Sequence, residues 1–269
     1  MCAFAVLLIL SSCEPSKVDP FDPVYDLGLV PATPGDLVDG STTLPSYFTG
    51  TLPNAYTIPT APVGDQKRQG SCIGFSAGYT VMSYYINRSN GGSYSNNFLG
   101  SPKFLYNLCK LSGCDGGSTY PRAMAILKTK GICSWSDMPY TDYECSQIPS
   151  AAQNSAALRY RIRSWSYLSI SDIDKMKRLL YSGYPLMIGI RVYTNFYQYR
   201  TGVYNSLSGT DNGGHAVAII GYDDARQAFR IQNSWGTAWG ESGYMWVGYN
   251  FLAQQLTAEP RCYLVVPDF

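Results

Sequence analysis

Gln66-Lys67-Arg68-Gln69-Gly70-Ser71-Cys72-Ile73-Gly74-Phe75-Ser76-Ala77 sets a polar turn directly before an apolar helical run. Ile73, Ala77 and Val81 recur at four-residue intervals, flanked by Phe75, Met82 and Tyr85. This period predicts a helix from Cys72 to about Ile86 with a buried face. Asn90-Gly91-Gly92 stops it. Cys72 then falls on the first turn, where unpaired N–H groups and the helix dipole stabilise an anion and lower a thiol pKa. Position alone leaves Cys72 open to two readings, a reactive thiol or a buried structural residue.

Outward from this stretch, two more helices are predicted. One runs from about Ser118 to Lys130, with Pro121 in its first turn and Gly131 after its end. The other runs from Asp172 to Ser182, with Ser171 as the expected cap and Gly183 and Pro185 closing it. Beyond it the period changes. Leu186–Val192, Ala216–Tyr222, Phe229–Gln232, Tyr244–Gly248 and Cys262–Val266 read as short strands between turn residues. A helical, cysteine-bearing first half and a β-rich second half predict an α+β protein of two lobes with a cleft between them.

The 269 residues are 45% hydrophobic and 14% charged, with a net charge of +1. That balance excludes a strongly basic nucleic-acid binder and an acidic disordered tail. The single histidine, His215, excludes zincin motifs and two-histidine iron sites, so no metal or other cofactor is expected. Met1–Ser12, MCAFAVLLILSS, has an apolar run far too short to span a bilayer and fits a secretory signal core. Leu10-Ser11-Ser12-Cys13 resembles a bacterial lipobox, which makes Cys13 the expected lipidation site. The expected location is therefore the cell envelope, outside the cytoplasm, with the lipid as the only membrane contact. Residues 13–60, rich in Pro, Asp, Gly and Thr, read as an extended tether. The folded domain is expected over 61–269, divided near residue 155. Export implies disulfides among Cys72, Cys109, Cys114, Cys133, Cys145 and Cys262, whose spacing is not that of a zinc ribbon.

Two further residues complete a chemical set with Cys72. His215 enters an apolar strand after Asn212-Gly213-Gly214, and Asn233 ends the strand Ile231-Gln232 just before Ser234-Trp235-Gly236. Each alone is ordinarily structural. Together they supply a thiol, an imidazole to move its proton, and an amide to fix the imidazole tautomer.

These segments resemble the papain family of cysteine peptidases. The match runs from about Pro62 to Val266 and rests on five motifs in order. They are the Gln66–Ala77 segment, Gly113-Cys114-Asp115-Gly116-Gly117, Asp137-Met138-Pro139-Tyr140, Gly214-His215-Ala216-Val217 and Asn233-Ser234-Trp235-Gly236. The resemblance implies a helical lobe and a β-barrel-like lobe, and a thioester mechanism acting on peptide or protein substrates. It implies Cys72 as nucleophile, His215 as base and acid, Asn233 as orienting residue and Gln66 as oxyanion donor. Gly116, Gly117 and Gly214 are then expected along the substrate, and Trp235 over the His215–Asn233 bond. A monomer is expected.

The sequence also departs from the family pattern. Gln69 stands where a cysteine is usual, and Ile73 where a tryptophan is usual. Cys114 thereby loses its usual mate, and the pairs expected instead are Cys114–Cys133 and Cys109–Cys145. The 52 residues between Cys13 and Gln66 leave no room for the family's long helical inhibitory segment. The Pro-rich stretch remains a candidate to lie across the cleft. Two other activities fit the same scaffold, a catalytically quiet peptide binder and an acyl transferase. An intact set of four residues disfavours the first, and Asn233 in the third position disfavours the second.

Overall fold

The computed structural model describes residues 25–269; the expected signal segment and Cys13 lie outside them. The chain from Gly74 to Met82 is wound as a π-helix and continues into α1 (Ser83–Ser89). Every residue from Gly74 to Asn87 is buried. Gly74 and Gly78 are required by close packing. A Cβ at Gly74 would stand 2.6 Å from the Pro102 carbonyl oxygen, and one at Gly78 would stand 2.9 Å from Ile132. Beside this central helix lie α2 (Pro102–Cys109) and α3 (Tyr120–Thr129). α2 is capped by Ser101, whose hydroxyl accepts from Phe104 N, and α3 by Thr119, which accepts from Arg122 N. Gly131 then leaves α3 at φ +76°, as a helix-terminating glycine should.

The second half builds one sheet from β1 (Ala55–Thr57), β2 (Ile162–Ser169), β3 (Leu186–Tyr193), β4 (Val203–Tyr204), β5 (Asp211–Asp223), β6 (Ala228–Gln232), β7 (Tyr244–Gly248) and β8 (Thr257–Pro267). The order is β2-β8-β3-β5-β6-β7-β4, with β1 added to β5. Every pairing is antiparallel except β4 with β7. The expected barrel-like lobe is corrected here. The sheet is an open path, because β2 and the two-residue β4 stand at its ends and do not pair. β3 and β5 are buried along most of their length, and the central helix packs on both.

Other expectations shift by small amounts. α5 (Ile173–Tyr181), which follows the short α4 (Ala151–Ala157), is capped by Asp172 rather than Ser171. The Asp172 carboxylate accepts from Lys175 N and also pairs with Lys175 Nζ at 2.6 Å. The stretch read as a tether is extended but not free. From residue 25 it lies on the domain and buries Leu29, Ala32, Leu37 and Ile58.

Both expected disulfides are corrected. The structure joins Cys114 to Cys145, with Cα atoms 5.3 Å apart, and leaves Cys109, Cys133, Cys72 and Cys262 as buried thiols. Cys109 ends α2 facing the core, and its carbonyl accepts from Arg122 Nε and Ser118 Oγ. Cys133 is buried behind Ser101, whose N–H bonds its carbonyl. Cys114 and Cys145 instead sit on two neighbouring loops. The Cys145 loop is held against α2 by the buried Lys103, whose ammonium meets Glu144 at 2.7 Å. Closing this loop removes about 3–4 kcal/mol of unfolded-chain entropy on a 31-residue separation. Cys114→Ser is therefore expected to lower Tm by several degrees, and reduction is then expected to have little further effect. Non-reducing peptide mapping should recover Cys114–Cys145 alone among the described cysteines; a Cys109–Cys145 peptide would refute the pairing.

Candidate active site

Cys72 lies at the head of the central helix with no exposed surface, and the backbone N–H groups of Ala216, Gly28 and Ile73 are directed at its sulfur. Ala216 follows His215 on β5, so the strand delivers the imidazole beside the thiol. His215 Nε2 and Asn233 Oδ1 are 2.7 Å apart, and Ser234 N also donates to Asn233 Oδ1. That bond turns the ring so that Nδ1 is the nitrogen left for the sulfur; Nδ1 has no hydrogen-bond partner among the described residues. The Trp235 ring lies 4.8 Å from the imidazole, tilted by 33°, and keeps water from this side.

Gln66 is fixed from three sides. Its side-chain oxygen accepts from Ser234 Oγ at 2.6 Å, its N–H donates to the Ser234 carbonyl, and its carbonyl accepts from Tyr140 Oη at 2.7 Å. With Oε1 engaged, Nε2 must point into the cleft, where it donates to the Asp26 and Gln69 carbonyls. The sequence therefore named the four central residues, and the structure brings all four together. Ser234 and Tyr140 stood inside quoted motifs without a role, and nothing in residue type alone singles out a brace.

The cleft is filled by the chain itself. Residues 25–32 form a strap that pairs with backbone groups and side chains along the cleft. Tyr25 stacks on Trp235 at 4.9 Å and donates to its carbonyl. The Asp26 carbonyl accepts from Gln66. Gly28 faces Cys72, and its carbonyl accepts from Ser118 N. Leu29 N donates to the Gly214 carbonyl, and Val30 N to the Ser118 carbonyl. One wall thus pairs with the strap through Gly214. The other pairs through Ser118, one residue past Gly117, where a Cβ would collide with the Gly28 carbonyl oxygen; a Cβ at Gly116 would meet Ser112 instead. Gly28 has no room for a side chain, because a Cβ there would collide with the Gly70 carbonyl oxygen.

Burial dominates the electrostatics. It pushes the Cys72 thiol up to about 11, against the three backbone donors and its own N–H. It pushes the His215 imidazole down to about 4, against the Asn233 hydrogen bond. Both groups are therefore neutral in the closed cleft at pH 7, and the pair is not the thiolate and imidazolium that attack requires.

The sequence model described as papain family cysteine protease matches residues 54–260. The chain belongs to the papain family of cysteine proteases. It is 34% identical over 197 residues to the cathepsin B-like CP1 of Giardia intestinalis, covering 68% of this chain and 62% of that protein. It is 31% identical over 195 residues to gamete and mating-type specific protein A of Dictyostelium discoideum, covering 72% of this chain and 42% of that one. The chain thus spans roughly two-fifths to three-fifths of the length of these curated relatives. Among solved structures, xylellain, a cysteine protease from Xylella fastidiosa, superposes with a TM-score of 0.74 at 28% identity, covering 89% of this chain and 95% of that one.

With the thiol at about 11, alkylation of Cys72 in the intact chain should be slow at neutral pH. Stopped iodoacetamide labelling read by intact mass checks this; labelling of the intact chain at pH 7 as fast as that of an exposed free cysteine would refute it.

Proposed function

We propose that the chain is a cysteine endopeptidase kept latent by its own N-terminal strap. The observation that carries this reading is the assembly of Cys72, His215, Asn233 and Gln66 around a cleft already occupied by extended peptide. Peptide or protein substrates are the corresponding ligands, taking the place of the strap between Gly214 and Ser118, with Gly116, Gly117 and Trp235 bordering the path. The cleft chemistry needs no cofactor and no second subunit.

Once the strap leaves, water enters, and the penalty on both charged forms falls. The thiol pKa drops, the imidazole pKa rises, and the proton moves from Cys72 to His215 Nδ1. The sulfur attacks the carbonyl carbon of a bound peptide. Charge builds on the carbonyl oxygen, where Gln66 Nε2 and the Cys72 N–H stabilise it. His215 gives its proton to the leaving amine, the C–N bond breaks, and a thioester remains. His215 then takes a proton from water, whose oxygen attacks the thioester carbonyl. The acid product leaves, and the thiol is restored. Asn233 holds the imidazole in one tautomer throughout.

The strap survives in the cleft because it offers Cys72 an amide hydrogen, from Gly28, and turns its carbonyl to Ser118. The apolar run before Cys13 and the Cys114–Cys145 bridge support an extracytoplasmic protein. In this reading residues 1–12 are the signal, lipidated Cys13 is the anchor, and the chain works as a monomer. No helix among the described residues is long and apolar enough to cross a membrane.

Gly28→Val should expel the strap by collision with Gly70 and raise hydrolysis of unstructured peptides at least tenfold, a gain that Cys72→Ala abolishes. In the opened chain, Gln66→Ala should lower kcat by about 10²–10³. Intact-mass labelling with an epoxide inhibitor provides a second readout: one adduct in Gly28→Val, none with Cys72→Ala. A folded Gly28→Val chain that neither labels nor hydrolyses would overturn the proposal.

A further inference from the structure

At the end of the central helix away from Cys72, a cavity of about 570 Å³ opens that the chemistry above does not use. At about 1.5 Å per helical residue, Asn87 stands roughly 20 Å along the helix from Cys72. Four phenol rings line the cavity, those of Tyr56, Tyr84, Tyr94 and Tyr181, together with Asn87 and Arg88. The rings are held before any ligand arrives. Tyr94 Oη donates to the Pro59 carbonyl at 2.8 Å, and Tyr84 Oη accepts from Arg88 Nη1 at 3.2 Å. The Tyr56 and Tyr181 rings meet edge to face at 5.1 Å. Such preorganisation lowers the ordering cost of binding. Gly91 and Gly92, at φ +90° and +93°, keep one border open, because a Cβ at either would meet nothing within 4 Å.

The polar groups of this cavity are not balanced among themselves. Asn87 is only 7% exposed, and its Nδ2 has no hydrogen-bond partner among the described residues. A buried donor in that state gains from an acceptor that a ligand carries in. Arg88 forms no ion pair among the described residues, and no carboxylate lines the cavity. An entering anion therefore meets a guanidinium with no competing charge beside it. A second cavity, of about 460 Å³, shares Arg88, Ser182 and Gly183 with the first and adds Tyr184 and Phe269. Arg88 thus borders both spaces, and together they suit a chain of rings better than a single ring.

We propose that this groove binds an acidic oligosaccharide. The apolar faces of its sugar rings lie on the tyrosines, a carboxylate meets Arg88, and a hydroxyl or carbonyl oxygen accepts from Asn87. A cationic ligand finds no partner here. An acidic peptide satisfies Arg88 but brings no flat saturated rings to the phenols. None of residues 25–32 lines either cavity, so the site stands apart from the strap and does not depend on the peptidase reading.

The test is calorimetric titration of the full chain with tri-galacturonate, with maltotriose and tri-glutamate as comparison probes. Tri-galacturonate should bind one to one, with a Kd below about 1 mM. Maltotriose, which lacks the charge, and tri-glutamate, which lacks the rings, should each bind at least tenfold more weakly. Arg88 is exposed, so Arg88→Gln should fold as the parent does and lose about 10–100-fold in affinity, the equivalent of one charge-assisted hydrogen bond. Asn87→Asp, nearly identical in shape, should remove binding by setting a carboxylate against the ligand's own. Cys72→Ala should bind like the parent, which separates this groove from the cleft. No heat with tri-galacturonate, equal binding of either comparison probe, or affinity unchanged in Arg88→Gln would each overturn the assignment.

Discussion

One buried phenol sets the distance between the two halves of the site. Tyr120, at the start of α3, shares a hydrogen bond with Ser76 on the central helix at 3.0 Å and donates to the Ile188 carbonyl of β3 at 2.9 Å. The Val217 carbonyl of β5 lies 3.3 Å from the same hydroxyl. Cys72 stands one helical turn before Ser76, and His215 two residues before Val217. A single side chain with no exposed surface therefore ties the helix that carries the thiol to the strand that carries the imidazole. Unpaired, its hydroxyl would be costly at that depth, so helix and sheet are held in the one arrangement that satisfies it. Tyr85 adds a second tie further along, donating to the Val265 carbonyl of β8.

The site is consequently built on rigid elements while its occupant is not. Cys72, His215 and Asn233 belong to a helix head, a central strand and the end of its neighbour, and Gln66 stands in a loop pinned by Ser234 and Tyr140. The strap has almost no regular structure and is held by backbone pairs and by the Tyr25 stack. In the proposed reading, opening exchanges one extended segment for another on this fixed frame. The electrostatics follow the same division. Backbone N–H groups at the sulfur and the Asn233 bond on the ring favour the charged forms, and burial opposes them.

Much of this was legible in the sequence for physical reasons. The four-residue period from Ile73, the Pro121 and Gly131 punctuation and the apolar runs at Leu186 and Ala216 are local signals, and the elements they predict form. α2 was missed because the buried Lys103 breaks its apolar face, and β2 because Ser164 and Ser166 dilute its alternation. The disulfide pairing failed for another reason. Spacing along the chain does not encode which loops meet, and Cys109 faces inward from a helix while Cys114 faces a neighbouring loop. The tether was misjudged because composition reports regular structure, and this segment is irregular yet packed. Its use of Gly28 is a property of the partner surface, at Gly70, which no reading of residues 25–32 by themselves contains.

That the strap is covalently joined to the cleft it fills changes the arithmetic of its hold. A free peptide of this length, bound through a handful of backbone hydrogen bonds and one aromatic stack, would dissociate on dilution. Attached to its own receptor, it acts at an effective concentration on the order of millimolar, whatever the concentration of the protein. In the proposed reading, weak individual contacts then suffice to keep the cleft filled, and a dissolved peptide competes with that local concentration. A single cut in the connecting segment ends that advantage at once, leaving an ordinary weak ligand free to diffuse away.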